Sequence, residues 1–152
     1  MSNKLLILCN FIILLMFTVG AVAATEVTFE IKKIRKTQGD LHYQIFNCNN
    51  PEIDKWDDLT LLSSGVVTPN SAKIKVKTQF LVTRLSCIRI FQDTNGSGTL
   101  EFSESGIPNE AVGFSDNPSL MLGYPKPQST AVVLKEGDDR LLSIKMNYRR
   151  KR

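Results

Sequence analysis

The sequence predicts an all-β fold: an antiparallel two-sheet β-sandwich of immunoglobulin-like or transthyretin-like kind, with about seven strands. Three observations predict it. Apolar residues recur at every second position in segment after segment, which marks half-buried strands rather than helices. Glycine, asparagine, aspartate and proline punctuate those segments at turn-like intervals. No stretch beyond the N-terminus requires a helix of useful length, and alternating strands of this number bury their apolar residues between two facing sheets.

The N-terminus is a separate matter. Lys4, the apolar run LLILCNFIILLMFTVG and then Ala21-Val22-Ala23 have the three parts of a secretory signal, with cleavage expected after Ala23. Cys9 follows Leu8 in the middle of that run, which is the wrong neighbour and the wrong place for lipid attachment. The expected organisation is a signal peptide over 1–23, a β-sandwich domain over 24–148 and a basic tail over 149–152. About 129 residues remain after cleavage, enough for one domain with a single core and no permanent membrane span.

In chain order, Val27, Phe29 and Ile31 share the apolar face of a first strand, with Glu26, Thr28, Glu30 and Lys32 opposite. Gln38-Gly39-Asp40 offers turn chemistry, and Leu41, Tyr43 and Ile45 repeat the pattern against His42 and Gln44, so these two strands read as a hairpin. His42 is expected at a surface or strand edge. Residues 47–69 are the least legible: a short helix around Ile53 to Leu62 fits, with Trp56 as a lid on the core. Alternation returns at Ile74 and Val76 between Lys73, Lys75 and Lys77, continuing through Phe80 and Val82. The next strand, Leu85 to Gln92, sets Ile88 and Ile90 against Cys87 and Arg89. Thr130 to Leu134 and Leu141 to Tyr148 read as a final pair about Gly137-Asp138-Asp139.

Charge and cysteines bound the function. The formal charge of +4 falls by one when Lys4 leaves, which is too mild for a nucleic-acid partner. Much of the excess lies in Lys32, Lys33, Arg35 and Lys36 and in Arg149, Arg150, Lys151 and Arg152, blocks that usually stay in water. Export leaves Cys48 and Cys87 as an even pair where oxidation is permitted. Bridged, they would contribute roughly 3 to 4 kcal/mol on the chain-entropy model; unbridged, they are two small apolar residues. A Cys-His dyad has no other support, and no catalytic residue is assigned.

Chemistry concentrates between Asp93 and Asn117. A hard dication needs six to eight oxygens, so a chain that binds one must turn sharply while offering oxygens at alternate positions. With Asp93 as position one, Asn95 is three, Ser97 five, Gly98 the sharp turn at six, the Thr99 carbonyl seven, Glu101 nine and Glu104 twelve. Leu100 supplies an apolar plug at eight. These six residues, Asp93, Asn95, Ser97, Thr99, Glu101 and Glu104, are the expected Ca²⁺ ligands. The spacing is that of an EF-hand, but a β-rich segment enters it and Gly106 and Pro108 follow before any helix can develop, so a calcium-sensing helix pair is not expected. The other reading is a polar hairpin loop, in which Asn95-Gly96 and Ser97-Gly98 make turns and the acids are solvated. Beyond it, Gly106 and Pro108 bend the chain, Phe114 and Ile107 are expected to cap the core, and Glu110 stands between support for the ion ligands and a surface role.

At these residues the chain resembles a family of uncharacterised secreted bacterial proteins, domain of unknown function 2141. Its pattern is a strand, then His-Asp-x-Asn-x-Asn-Gly-x-Leu-Asp, then Gly-Ile-Pro-x-Glu-Gly-x-Gly-Phe-Ser. Asp93, Asn95, Gly98 and Leu100 match the first block; Gly106, Ile107, Pro108, Glu110, Gly113, Phe114 and Ser115 match the second. Gly123 and Pro125 resemble the Gly-Pro segment that follows, and the opening VTFEIKKIRKTQGDLHYQIFN is similar to the family's first hairpin. Gln92 replaces the histidine, Ser97 an asparagine, Glu101 an aspartate and Ala111 a glycine. Oxygen ligation survives those changes, but no imidazole adjoins Asp93 along the chain, so a histidine-dependent reaction is not expected. The resemblance implies a secreted β-sandwich and no activity. The function expected is therefore a non-enzymatic exported module, its loop binding calcium and its surface contacting an envelope or extracellular protein or glycan. The alternative is a small extracellular hydrolase using the loop carboxylates Asp93, Glu101, Glu104 or Glu110.

Overall fold

The computed structural model describes residues 24–35, 39–81, 84–134 and 141–148. The signal segment, Lys36, the Gln38 part of the first turn, Val82, the turn Gly137-Asp138-Asp139 and the basic tail lie outside the described residues. Among the described residues seven strands form two facing sheets: β1 (Thr25–Lys32), β2 (Asp40–Asn47), β3 (Leu61–Val67), β4 (Lys73–Phe80), β5 (Ser86–Asp93), β6 (Ala111–Phe114) and β7 (Leu142–Lys145). One sheet has the order β4-β1-β7 and the other β3-β2-β5-β6. The expected all-β sandwich is thus the fold observed. Among the described residues, no helix is long and apolar enough to cross a membrane.

Strand positions follow the alternation, but strand partners do not. β1 and β2 make no hairpin: β1 pairs antiparallel with β4, whereas β2 pairs with β3 and β5 in the opposite sheet. The apolar faces of both are satisfied because the chain crosses between sheets, bringing Phe29 and Tyr43 into edge-on contact at 5.6 Å. The expected C-terminal pair is also absent. Val132 bridges to Ser86, and β7 runs parallel to β1, the one parallel pairing among the described residues of a fold expected to be antiparallel. Between 47 and 69 a 3-10 turn at Trp56–Asp58 replaces the short helix, and a strand begins at Leu61 inside the span assigned to it.

The core between the sheets gathers Val27, Phe29, Ile31, Leu41, Tyr43, Ile45, Ile88, Ile90 and Ile144, the residues that alternation placed on inward faces. A second apolar layer, not anticipated from the sequence, covers the outer face of the β2-β5 sheet. It contains Phe46, Cys48, Trp56, Leu59, Cys87, Phe91, Val112 and Phe114. Buried on both faces, β5 is enclosed at all eight positions. Cys48 and Cys87 are joined in a disulfide within this layer, with Cα atoms 5.9 Å apart. Trp56 is the lid expected: it lies edge-on to Phe46, and its Nε1 donates to the Pro125 carbonyl at 2.9 Å. Arg89 is drawn into the same layer, 9% exposed. Its Nε donates to Gln44 Oε1 at 2.9 Å, and its guanidinium lies over the rings of Phe46 and Trp56, each at 5.3 Å. These contacts offset the desolvation of its charge.

On the outer face of the other sheet, Glu30 is buried rather than solvated. Lys32 and Lys73 hold it at 2.7 and 2.9 Å and, with hydrogen bonds from both, lower its pKa.

Candidate metal loop at the end of the second sheet

The loop begins where β5 ends. Asp93, the last residue of that strand, turns its carboxylate back into the following turn: Oδ1 accepts from the Gly96 and Ser97 backbone N–H groups at 2.8 and 3.1 Å, and Oδ2 from Gly98 N–H at 2.7 Å. The Gly98 bond is the first cause holding its pKa below the ordinary aspartate value, ahead of those from Gly96 and Ser97. Gly98 has φ of +74°, the left-handed conformation that position six of the spacing demanded.

Several of the remaining expected ligands face one another. Asn95 Nδ2 donates to Glu101 Oε2 at 3.0 Å, joining positions three and nine. Ser97 Oγ donates to the Thr99 carbonyl at 3.0 Å, joining five and seven. Leu100 is half-buried against the second apolar layer, as a plug should be. Glu104 stands apart: it is exposed, and among the described residues nothing binds its carboxylate. Nor do three histidine, cysteine or acidic side chains come together among the described residues as a ready metal cluster. Any cation would therefore draw on the asparagine, the serine and main-chain oxygens as well.

The segment after the loop folds back on itself. Asn109 N–H donates to the Glu101 carbonyl and Ser103 N–H to the Ile107 carbonyl, both at 2.9 Å, and Phe102 bridges Pro108. This small hairpin returns the chain to β5, where β6 pairs with Gln92 opposite Ala111. One step further along the same register sets Glu110 opposite Asp93, and β2 sets Asp40 opposite Asp93 from the other side. A row of three acids thus crosses the sheet end. Asp40 Oδ1 is engaged by the Thr68 hydroxyl at 2.7 Å.

Glu110 is the unusual member. It is 7% exposed, and both carboxylate oxygens are buried with no hydrogen-bond partner. Backbone N–H groups of Glu101 and Thr94 lie near enough to favour the charged form, but neither reaches hydrogen-bonding geometry. Burial raises its pKa, and the charges of Asp93 and Glu101 push it the same way.

His42 corrects a second expectation. β2 is an interior strand, so His42 is neither at an edge nor free. Its ring stacks on Phe91 at 4.8 Å, and its Nε2 lies 3.6 Å from Asp93 Oδ2. The imidazole absent from the preceding position along the chain is supplied across the sheet. Of the two expected core caps, Phe114 is buried and Ile107 is not. Nothing in the sequence placed Asp40, read as a turn residue, or His42, read as a strand residue, beside Asp93, because that place is set by the pairing of β2 with β5.

A family described as uncharacterized protein conserved in bacteria (DUF2141) matches residues 29–141, which takes in β2 to β6, the second half of β1 and the whole loop. No curated protein and no solved structure shows a significant match to the chain.

Proposed function

Because this chain belongs to DUF2141, a family that brings no activity with it, we propose a function from the loop: an exported, non-enzymatic β-sandwich module that binds calcium in residues 93–104 and contacts an envelope or extracellular component, protein or glycan. The carrying observation is that Asn95 meets Glu101 and Ser97 meets Thr99 around an Asp93 already fixed by three backbone N–H groups. Side chains spaced along the chain for a hard cation are thereby brought within hydrogen-bonding distance of one another. Calcium exchanges a few weak mutual hydrogen bonds for coordination and neutralises the neighbouring acids.

A loop ordered by the ion is a recognition surface whose entropy is lost before the partner arrives. Apolar groups stand ready beside it. Phe102 packs edge-on to Tyr124 at 5.1 Å while keeping much of its surface open, Ile107 is similarly open, and Met121 and Leu122, just before Tyr124, are almost wholly exposed. Export is supported by the Cys48–Cys87 bond, which belongs to an oxidising compartment, and by the charged, apolar and small-residue order of positions 4–23. The hydrolase alternative needs a proton donor open to a polymer. Glu110, the acid with a raised pKa, is sealed at the sheet end.

Thermal unfolding with added calcium, then with chelator, tests the reading. A ligand bound by the native state alone stabilises by about 2.7 kcal/mol at a hundredfold excess over its Kd, so the midpoint should climb with calcium concentration. An unchanged midpoint across millimolar calcium overturns the proposal.

A further inference from the structure

Resting on the cation reading of the loop, the geometry points to Glu110, from the hairpin beyond the loop, as the carboxylate that closes the calcium shell in place of Glu104. Counting along the chain selects Glu104, since it occupies the twelfth position. The fold disposes otherwise: Glu104 is exposed, on the arm leading into the turn at Ser105-Gly106, where Gly106 N–H donates to the Ser103 carbonyl at 2.9 Å. The hairpin 101–109 then carries Glu110 back to the base of the loop, one register step from the last β5–β6 pair and opposite Asp93.

Two features of Glu110 call for a cation. Its oxygens are both buried and unpartnered, which is rare for a carboxylate because an ionised group taken out of water without compensation is strongly disfavoured. It also lies near enough to Asp93 and Glu101 for their charges to oppose its ionisation, as like charges do across a strand pair. A proton on Glu110 would relieve the repulsion but leave a buried carboxyl still without a partner. A dication held by Glu110 together with amide, hydroxyl and main-chain oxygens of the loop answers both. Asp93 itself is already engaged: Oδ1 accepts two N–H groups, and Oδ2 accepts one and lies 3.6 Å from His42 Nε2, so the buried carboxylate with both oxygens open is Glu110. Closure from across the sheet rather than from the loop's own end also fits the context. In an EF-hand the twelfth residue is carried inward by a helix; here the chain enters a β-turn instead, and a strand partner provides the acid.

The test is calorimetric titration of calcium chloride into the oxidised wild-type protein, Glu110→Gln and Glu104→Gln, with magnesium chloride as the comparison ion. Loss of a group supporting a metal site costs about 10- to 100-fold in affinity, so Glu110→Gln should weaken calcium binding at least about tenfold while Glu104→Gln stays within about twofold of wild type. Intrinsic fluorescence of Trp56 gives an independent readout, because Trp56 touches Tyr124 and Tyr124 touches Phe102 of the loop. In chelator, Glu110→Gln should unfold at a temperature equal to or above wild type, since the buried charge is gone, and fall below it when calcium is added. Glu110→Asp, which keeps the charge but withdraws it by one methylene, should bind with intermediate affinity and guards against misfolding of the glutamine variant. Wild-type binding that survives Glu110→Gln and is lost in Glu104→Gln overturns this assignment and leaves the calcium reading intact. Absence of binding in the wild type overturns both.

Discussion

The two apolar layers of this molecule share a strand and little else. The layer between the sheets is built by alternation: Phe29, Ile31, Leu41, Ile45, Ile88 and Ile144 each sit where a period of two puts them. The layer on the outer face of the second sheet is built from loops and 3-10 turns, with Trp56, Phe114 and Tyr124 in mutual ring contact, a disulfide, and an arginine over two rings. The first is ordinary sandwich packing. The second covers a sheet face that would otherwise be wet, and its upper end is the acidic row beside the loop. Stability and candidate function are thus divided between the two faces of one strand, β5.

Breaking the inner layer should have the largest effect. Phe29 is fully buried, and Phe29→Ala is expected to lower unfolding stability by about 3–5 kcal/mol in denaturant titrations, without altering calcium affinity in whatever fraction remains folded. An equal loss of calcium affinity would show that the layers are one unit. Next comes the disulfide. Its partners are 39 residues apart, and replacing both cysteines by serine should cost roughly 3 to 4 kcal/mol, read from the same titrations under oxidising conditions. If the layers differ as argued, the Trp56 emission of the folded variant changes while its strand circular dichroism does not.

The pH dependence sharpens the comparison within the acidic row. Asp93 has a lowered pKa, so the stability it contributes is present above its unfolded value of 3.8 and disappears as pH falls through the lower folded value. Glu110 is opposite in sign. With a raised pKa, its contribution is complete below its unfolded value of 4.5 and is lost as pH climbs through the higher folded value. Unfolding midpoints in chelator should therefore decline as pH climbs through that upper window. Glu110→Gln should remove the decline, and saturating calcium should mask it. A flat profile in wild type would mean that Glu110 has found a partner. The smallest effect belongs to Gly98→Ala: an L-residue at φ +74° should cost about 1–2 kcal/mol, seen as a modest midpoint drop, with no clash because the space around it is open.

Much of the fold was legible in the residues. Alternation located β1, β2, β4, β5 and β7, turn residues separated them, and oxygen spacing singled out the loop. β3 was missed because Leu61 to Val67 contains Ser63-Ser64-Gly65 and two adjacent apolar pairs, with a register shift where it meets Ile45 and Phe46, so it has no clean period. The candidate site was half legible. Its Asp93 turn follows from local chemistry, since the acceptor and three donors lie within five residues. Asp40, His42 and the burial of Glu110 could not be read, because each depends on which strand lies beside which.

The sequence by itself determined the β character of the chain, the inward face of most of its strands and the presence of a loop rich in hard oxygen donors. Each is a local property, set by a period of two or by side chains a few residues apart. Only the tertiary structure decided that β1 and β2 lie in different sheets, that β5 is covered on both sides, and that Glu110 is buried while Glu104 is exposed. A strand's alternation says which way its side chains point and is silent about its neighbour; pairing is fixed by long-range hydrogen bonding and by the competition of every apolar face for burial at once.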